Sequence, residues 1–133
     1  MSALRYIHGC NILHLDIKPS NILLTQQNLC KLADFGCSQN AENPTVSQLQ
    51  GTLAYRAPGL FRGQLPTTKG DIYSLAITLW TLKTQEAPYH GENNCMVVYQ
   101  VVAQRRRPSQ DPDLEALWEA EPQKRPDAAQ LSF

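Results

Sequence analysis

The chain has 133 residues, 42% hydrophobic, 18% charged and 8% aromatic, which suits one globular domain or part of one and excludes disordered, collagenous and coiled-coil chains. Twelve Lys and Arg balance twelve Asp and Glu, so no net field draws the chain toward nucleic acid or an acidic membrane. The longest apolar run, Ile72 to Trp80, falls short of the ~20 residues of a membrane span, and Met1 to Cys10 lacks the apolar core of a secretory signal.

In chain order, Ile22 to Thr25 and Leu29 to Ala33 are short apolar runs separated by Gln26, Gln27 and Asn28, which predicts a hairpin of two strands. From Phe35 to Arg56 no period survives, and the stretch reads as a long loop of the kind that carries function. Ile72, Leu75, Ala76, Leu79 and Trp80 share one helical face, while Tyr73, Ile77 and Leu82 make the others apolar, so Asp71 to Lys83 reads as a buried helix. Asp71 at its start suits an N-cap, and Lys83 at its end suits the helix dipole. A second helix is predicted over Glu92 to Gln104. A third is predicted after Asp111 and Pro112, with Leu114, Leu117 and Trp118 on one face. Pro126 and Asp127 open another, which Phe133 interrupts.

Two short motifs carry the chemistry. His14 to Asn21 reads HLDIKPSN, and Asp34, Phe35 and Gly36 read DFG after the hairpin. Each alone is a weak signal. Their order, with a long loop and Ala57-Pro58 behind them, resembles the C-terminal lobe of a protein kinase, whose catalytic loop follows H-R-D-L-x-x-x-N. Lys18, two residues after Asp16, is the serine/threonine kinase choice. Leu15 in the arginine position, Cys37 straight after DFG, and the runs HLDIKPSNILL, CKLADFGCS and KGDIYSLAITLW resemble the Mos-type kinases.

The resemblance implies an α+β, protein-kinase-like fold, represented by a mainly helical C-terminal lobe without the N-terminal lobe. Residues 1–133 would form a partial kinase domain, with catalytic loop 14–21, DFG 34–36, activation segment 34–59 and buried helix 71–83. It implies ATP and Mg²⁺ as cofactors. Asp16 would accept the substrate hydroxyl proton, and Lys18 would offset charge on the transferred phosphoryl group. Asn21 and Asp34 would supply hard oxygens to Mg²⁺. Thr52, after Gly51, would support Asp16 and Lys18; Asp71 would hold the catalytic-loop backbone, a role open beside its plain one as an N-cap. It further implies a cytosolic kinase upstream in the mitogen-activated kinase cascade of oocyte meiosis, with a MAP kinase kinase as protein substrate. Leu15 removes the cation that would pair with a phosphorylated activation segment.

Gly59 stands where the family's Ala-Pro-Glu has its glutamate, and Arg125 would be that glutamate's partner. A buried Arg125 without it would cost about 3 to 5 kcal/mol, so Gly59→Glu is expected to stabilise. The Gly-rich loop and strand lysine of the kinase signature are absent from these residues, so independent phosphotransfer by this chain is not expected. The competing function is a non-catalytic kinase fragment or pseudokinase that binds proteins. A metal-dependent phosphohydrolase needs more acidic ligands than the sequence offers. His14 reads as a packed, hydrogen-bonded residue, Cys37 as a small buried hydrophobe, Ser47 and Thr52 as solvated loop residues rather than phosphorylation sites, Arg105 to Arg107 as a solvated face, and Trp80 and Trp118 as core. Cys10, Cys30, Cys37 and Cys95 form no C-x-x-C pair, as in a reducing compartment, which with the missing signal points to the cytoplasm.

Overall fold

Leu4 and Ile7 lie on one face of the first helix, α1 (Ser2–Gly9), and both are buried; α1 delivers the chain into strand β1 (Ile12–Leu13) and then the HLDIKPSN segment. A computed structural model of the chain describes residues 2–46 and 52–131. The readings made at Ser47, at Gly51 and at the chain end by Phe133 lie outside them.

The predicted hairpin forms from β2 (Ile22–Leu24) and β3 (Cys30–Leu32), antiparallel, with Ile22 opposite Leu32. Its turn closes through Thr25 and Leu29, and Asn28 takes the left-handed conformation at φ 61° that asparagine tolerates. The loop predicted over Phe35 to Arg56 is not structureless. It contributes β4 (Gln39–Asn40), which pairs antiparallel with β1, and a 3₁₀ turn over Leu53–Tyr55. Two-residue strands carry no period, so only the partner segment β1 reveals them.

After the short helix α2 (Pro58–Phe61), the central helix α3 runs over Thr68–Thr84, starting three residues before the predicted Asp71. Its N-cap is Thr67, whose side chain accepts the Lys69 N–H, so the reading of Asp71 as N-cap is corrected. Every side chain from Asp71 to Thr78 is buried, as a helix apolar on all faces requires. The polar ones find partners: Ser74 Oγ donates to the Tyr55 carbonyl at 2.6 Å, and Trp80 Nε1 to Ser109 Oγ at 2.8 Å. Gln85 ends the helix in the left-handed conformation, its N–H donating to Thr81.

Asn93 caps α4 (Asn94–Ala103), two residues inside the predicted start. The third predicted helix does not form. Residues 112–118 make successive turns: the Asp111 carboxylate accepts the Asp113 N–H, and the Arg107 guanidinium takes the Trp118 carbonyl that a continuing helix would use. Leu114, Leu117 and Trp118 are nevertheless buried against α3, because packing sets burial and the backbone follows. The last predicted helix is a 3₁₀ turn, Ala128–Gln130, closed by a capping box between Asp127 and Gln130.

The core wraps α3. Leu4, Ile17, Ile72, Leu75, Ala76 and Ile77 are at most 1% exposed, each aliphatic side chain of Leu or Ile size contributing roughly 1.5–3 kcal/mol. This core puts residues 14–21, the 33–35 segment and the N-terminal half of α3 in one place.

Candidate active site

The HLDIKPSN segment is held from below by Asp71. That carboxylate, fully buried, accepts the N–H of His14 at 2.9 Å and of Leu15 at 2.8 Å, and lies 2.8 Å from His8 Nε2. Leu15 has φ +67°, a conformation a branched side chain avoids, and the hydrogen bond to Asp71 holds it there. His14 is fully buried; its Nδ1 accepts the Asp16 N–H at 3.1 Å, so its Nε2–H is the donor to the Ala33 carbonyl at 2.8 Å. With both nitrogens used and Phe35 edge-on at 4.8 Å, His14 is a packing residue joining the loop to the DFG strand end.

Asn21 and Lys18 converge on Asp16. Asn21 Nδ2 donates to the Asp16 backbone carbonyl at 2.8 Å and to Asp16 Oδ2 at 3.1 Å. Lys18 Nζ lies 3.8 Å from Asp16 Oδ1 and donates to Thr52 Oγ1 at 2.9 Å. The Asp16 carboxylate is thereby fixed while its side chain stays partly open to solvent. Ala33 N–H donates to the Asn21 carbonyl at 2.8 Å, which brings the next residue, Asp34, to the same side. Asp34 is exposed, at φ 54°, and its Oδ1 accepts only the Gly36 N–H among the described residues.

Both hydrogen bonds of the Asn21 amide use Nδ2, so its Oδ1 has no protein donor among the described residues. An amide oxygen and an exposed carboxylate are the donor set of Mg²⁺, which takes few protein oxygens and completes its shell with phosphate and water. Among the described residues no group of three or more His, Cys, Asp or Glu could hold a metal ion.

Cys37 departs from the buried-hydrophobe reading: it is half-buried at the rim of this site, where burial, then the charges of Asp16 and Asp34, push its thiol up. The sequence reading missed Arg56. It is 7% exposed, lowered first by burial, and interacts with Cys37 and Asp16; with Leu15, Thr52 and Tyr55 it lines a small cavity beside the loop. Its place immediately before Ala57-Pro58 was the available signal. Of Arg105 to Arg107, read as a solvated face, two are engaged: Arg106 pairs with Glu92, and Arg107 stacks 5.0 Å over Tyr73 while holding the Trp118 carbonyl. A contiguous run of like charges does not reveal which members turn inward.

Arg125 is 2% exposed. Its Nε donates to the Glu119 carbonyl at 2.8 Å and its Nη1 to the Lys69 carbonyl at 3.0 Å, so its partners are carbonyl oxygens rather than a carboxylate. Arg125 and Gly59 both line another small cavity, between α2, the start of α3 and Pro122.

No helix among the described residues is long and apolar enough to cross a membrane. The protein kinase domain family matches residues 1–132. Among curated proteins the chain is similar to the serine/threonine-protein kinase mos of Patiria pectinifera, 45% identical over 97% of this chain and 42% of that protein. It is similar to the mos kinase of Xenopus laevis, 41% identical over 96% of this chain and 42% of that protein. The proto-oncogene mos kinase of Rattus norvegicus is 38% identical over 98% and 43%. The chain thus spans less than half the length of these relatives. A loop aspartate pinned by asparagine and flanked by lysine, a DFG aspartate drawn beside it, and a match along nearly the whole chain lead to one conclusion: the chain belongs to the protein kinase family.

Proposed function

We propose that this protein is a serine/threonine kinase that transfers the γ-phosphoryl group of ATP to protein hydroxyls. The observation that carries it is the convergence of Asn21 and Lys18 on Asp16, since a general base must be held still and a cation kept next to it. Asp16 orients the substrate hydroxyl and accepts its proton. Lys18, steadied by Thr52, offsets charge developing on the transferred group. Asn21 Oδ1 and the Asp34 carboxylate would hold Mg²⁺, which when bound with ATP neutralises phosphate charge. Asp71 positions the loop through His14 and Leu15.

The likeness to the mos kinases supports a finer reading: a cytoplasmic kinase upstream in a mitogen-activated kinase cascade, active in meiosis, with a MAP kinase kinase as substrate. A second reading, a non-catalytic protein-binding module, is favoured by Leu23, Leu24 and Leu29, which the hairpin leaves 53%, 69% and 61% exposed. Phosphotransfer to a MAP kinase kinase by a longer protein that also carries the Gly-rich loop and the strand lysine, measured with Asp16→Ala, separates the two. Under the kinase reading Asp16→Ala abolishes transfer and leaves nucleotide binding intact; transfer that survives the substitution overturns it, and no transfer by wild type with retained protein binding selects the module.

A further inference from the structure

Helix α4 (Asn94–Ala103) reads NCMVVYQVVA, ten residues without a charge, and the fold uses only part of that apolar surface. Val97 and Val101 turn inward and are buried. At about 3.6 residues per turn, Cys95, Met96, Tyr99 and Ala103 fall together on the opposite side, and all four are exposed, Met96 at 55% and Tyr99 at 57%. A helix that buries one apolar face and shows another to water is built for contact on both.

What borders this outer face is positive. Arg62, which follows α2, donates from Nη2 to the Val102 carbonyl at 2.9 Å, and Arg105 leaves the end of the helix at φ +57°. Both are exposed, and neither pairs with a carboxylate among the described residues. Glu92, the only acid between residues 87 and 110, is already held by Arg106 through both carboxylate oxygens, at 2.6 and 2.7 Å. The patch thus presents apolar side chains with two unneutralised cations at one end and no free acid from its own segment. Two such cations fall short of the cluster of about four to eight that recruits an anionic membrane. A second copy turned face to face brings no free carboxylate to either arginine, because its Glu92 is spent in the same way.

We propose that the outer face of α4 docks a partner protein through an apolar segment flanked by acidic residues, the apolar side chains lying on Met96 and Tyr99 and the acids meeting Arg62 and Arg105. Tyrosine, methionine and arginine are the residue types enriched where interfaces are buried, and opposite charge at the rim sets partner choice. This surface belongs to a different element from the hairpin leucines and serves whether or not the chain transfers phosphate.

Fluorescence polarisation with the full chain tests this, using a labelled amphipathic peptide with Leu along one helical face and Glu flanking it, and a twin with Lys in place of Glu. The Glu peptide is expected to bind about tenfold more tightly than its twin at low salt, an advantage that shrinks as ionic strength rises. Tyr99→Ser, at an exposed position, is expected to weaken the Glu peptide about tenfold. Arg105→Glu, a second exposed position, reverses the preference between the peptides, and Leu23→Ser on the hairpin leaves it unchanged; circular dichroism checks that each variant is folded. Binding of neither peptide, equal affinity for both, or binding that survives Tyr99→Ser and Arg105→Glu would overturn the proposal. So would a preference for vesicles of phosphatidylserine and phosphatidylcholine over the peptide, or a dimer in sedimentation velocity that Tyr99→Ser dissolves.

Discussion

The Asp71 carboxylate accepts the backbone N–H of Leu15 at 2.8 Å, at a residue held in the left-handed region with φ +67°. Helix α3 and the loop over residues 14–21 are therefore joined by a charged hydrogen bond from a fully buried side chain, made where the loop backbone is least comfortable. Asp71→Asn offers an amide that can accept from one loop N–H while its own N–H₂ group meets the other. The expected loss is about 3 kcal/mol, read as a lower urea midpoint at unchanged m. A midpoint equal to wild type would show that the loop holds its shape without Asp71.

Thr52 is the only described partner of Lys18 apart from Asp16. Thr52→Val keeps the shape and removes the acceptor, so Lys18 gains freedom at the position where it must meet the transferred group. On the kinase reading, kcat is expected to fall about 10-fold, near 1.4 kcal/mol of barrier, with KM for ATP little changed. Steady-state kinetics on a protein substrate, with a longer protein that also carries the Gly-rich loop and the strand lysine, checks this; a loss confined to KM would assign Thr52 to binding instead.

Cys37 lies at the rim of the site, yet burial and the neighbouring Asp16 and Asp34 charges raise its thiol, with Arg56 and Lys18 only partly opposing them. Alkylation follows the thiolate. Iodoacetamide at pH 8 is expected to modify the exposed Cys10, Cys30 and Cys95 first and Cys37 last, as followed by peptide mass spectrometry over time. Cys37 reacting first would mean that the cations of the site dominate its surroundings.

Burial holds the phenols of Tyr73 and Tyr89 above their ordinary value of 10.0, so the folded chain keeps protons that the unfolded chain releases. That stability is complete below about pH 10 and is lost as pH rises from there toward the folded values. Arg125, pushed down to about 10, works in the opposite direction, as a single group against two. Tm is therefore expected to stay level from pH 8 to about pH 10 and to drop above it, and to drop less in Tyr73→Phe. Identical drops in the two proteins would place the alkaline transition elsewhere.

Much of the site was legible from spacing. His14, Asp16, Lys18 and Asn21 fall within eight residues, where one turn must bring them together, and the hairpin of Ile22–Leu24 with Cys30–Leu32 returns the chain so that Asp34 follows beside Asn21. The buried helix was legible too, because apolar residues on every face have one explanation. Its start was not: Asp71 and Thr67 are both good caps, and only the loop packed above shows that the aspartate is spent on His14 and Leu15.

By itself the sequence determined the local elements whose pattern is set within a few residues, the order of the motifs, and through them the family. Tertiary structure alone decided the pairing of Gln39–Asn40 with Ile12–Leu13, the turns in place of a helix over 112–118, the inward place of Arg56, and the cavity that Arg125 and Gly59 both line. Periodicity records which face of an element is buried. It is silent about which distant backbone group or side chain meets that face, because hydrogen bonds and packing across the fold are settled between segments far apart in the chain.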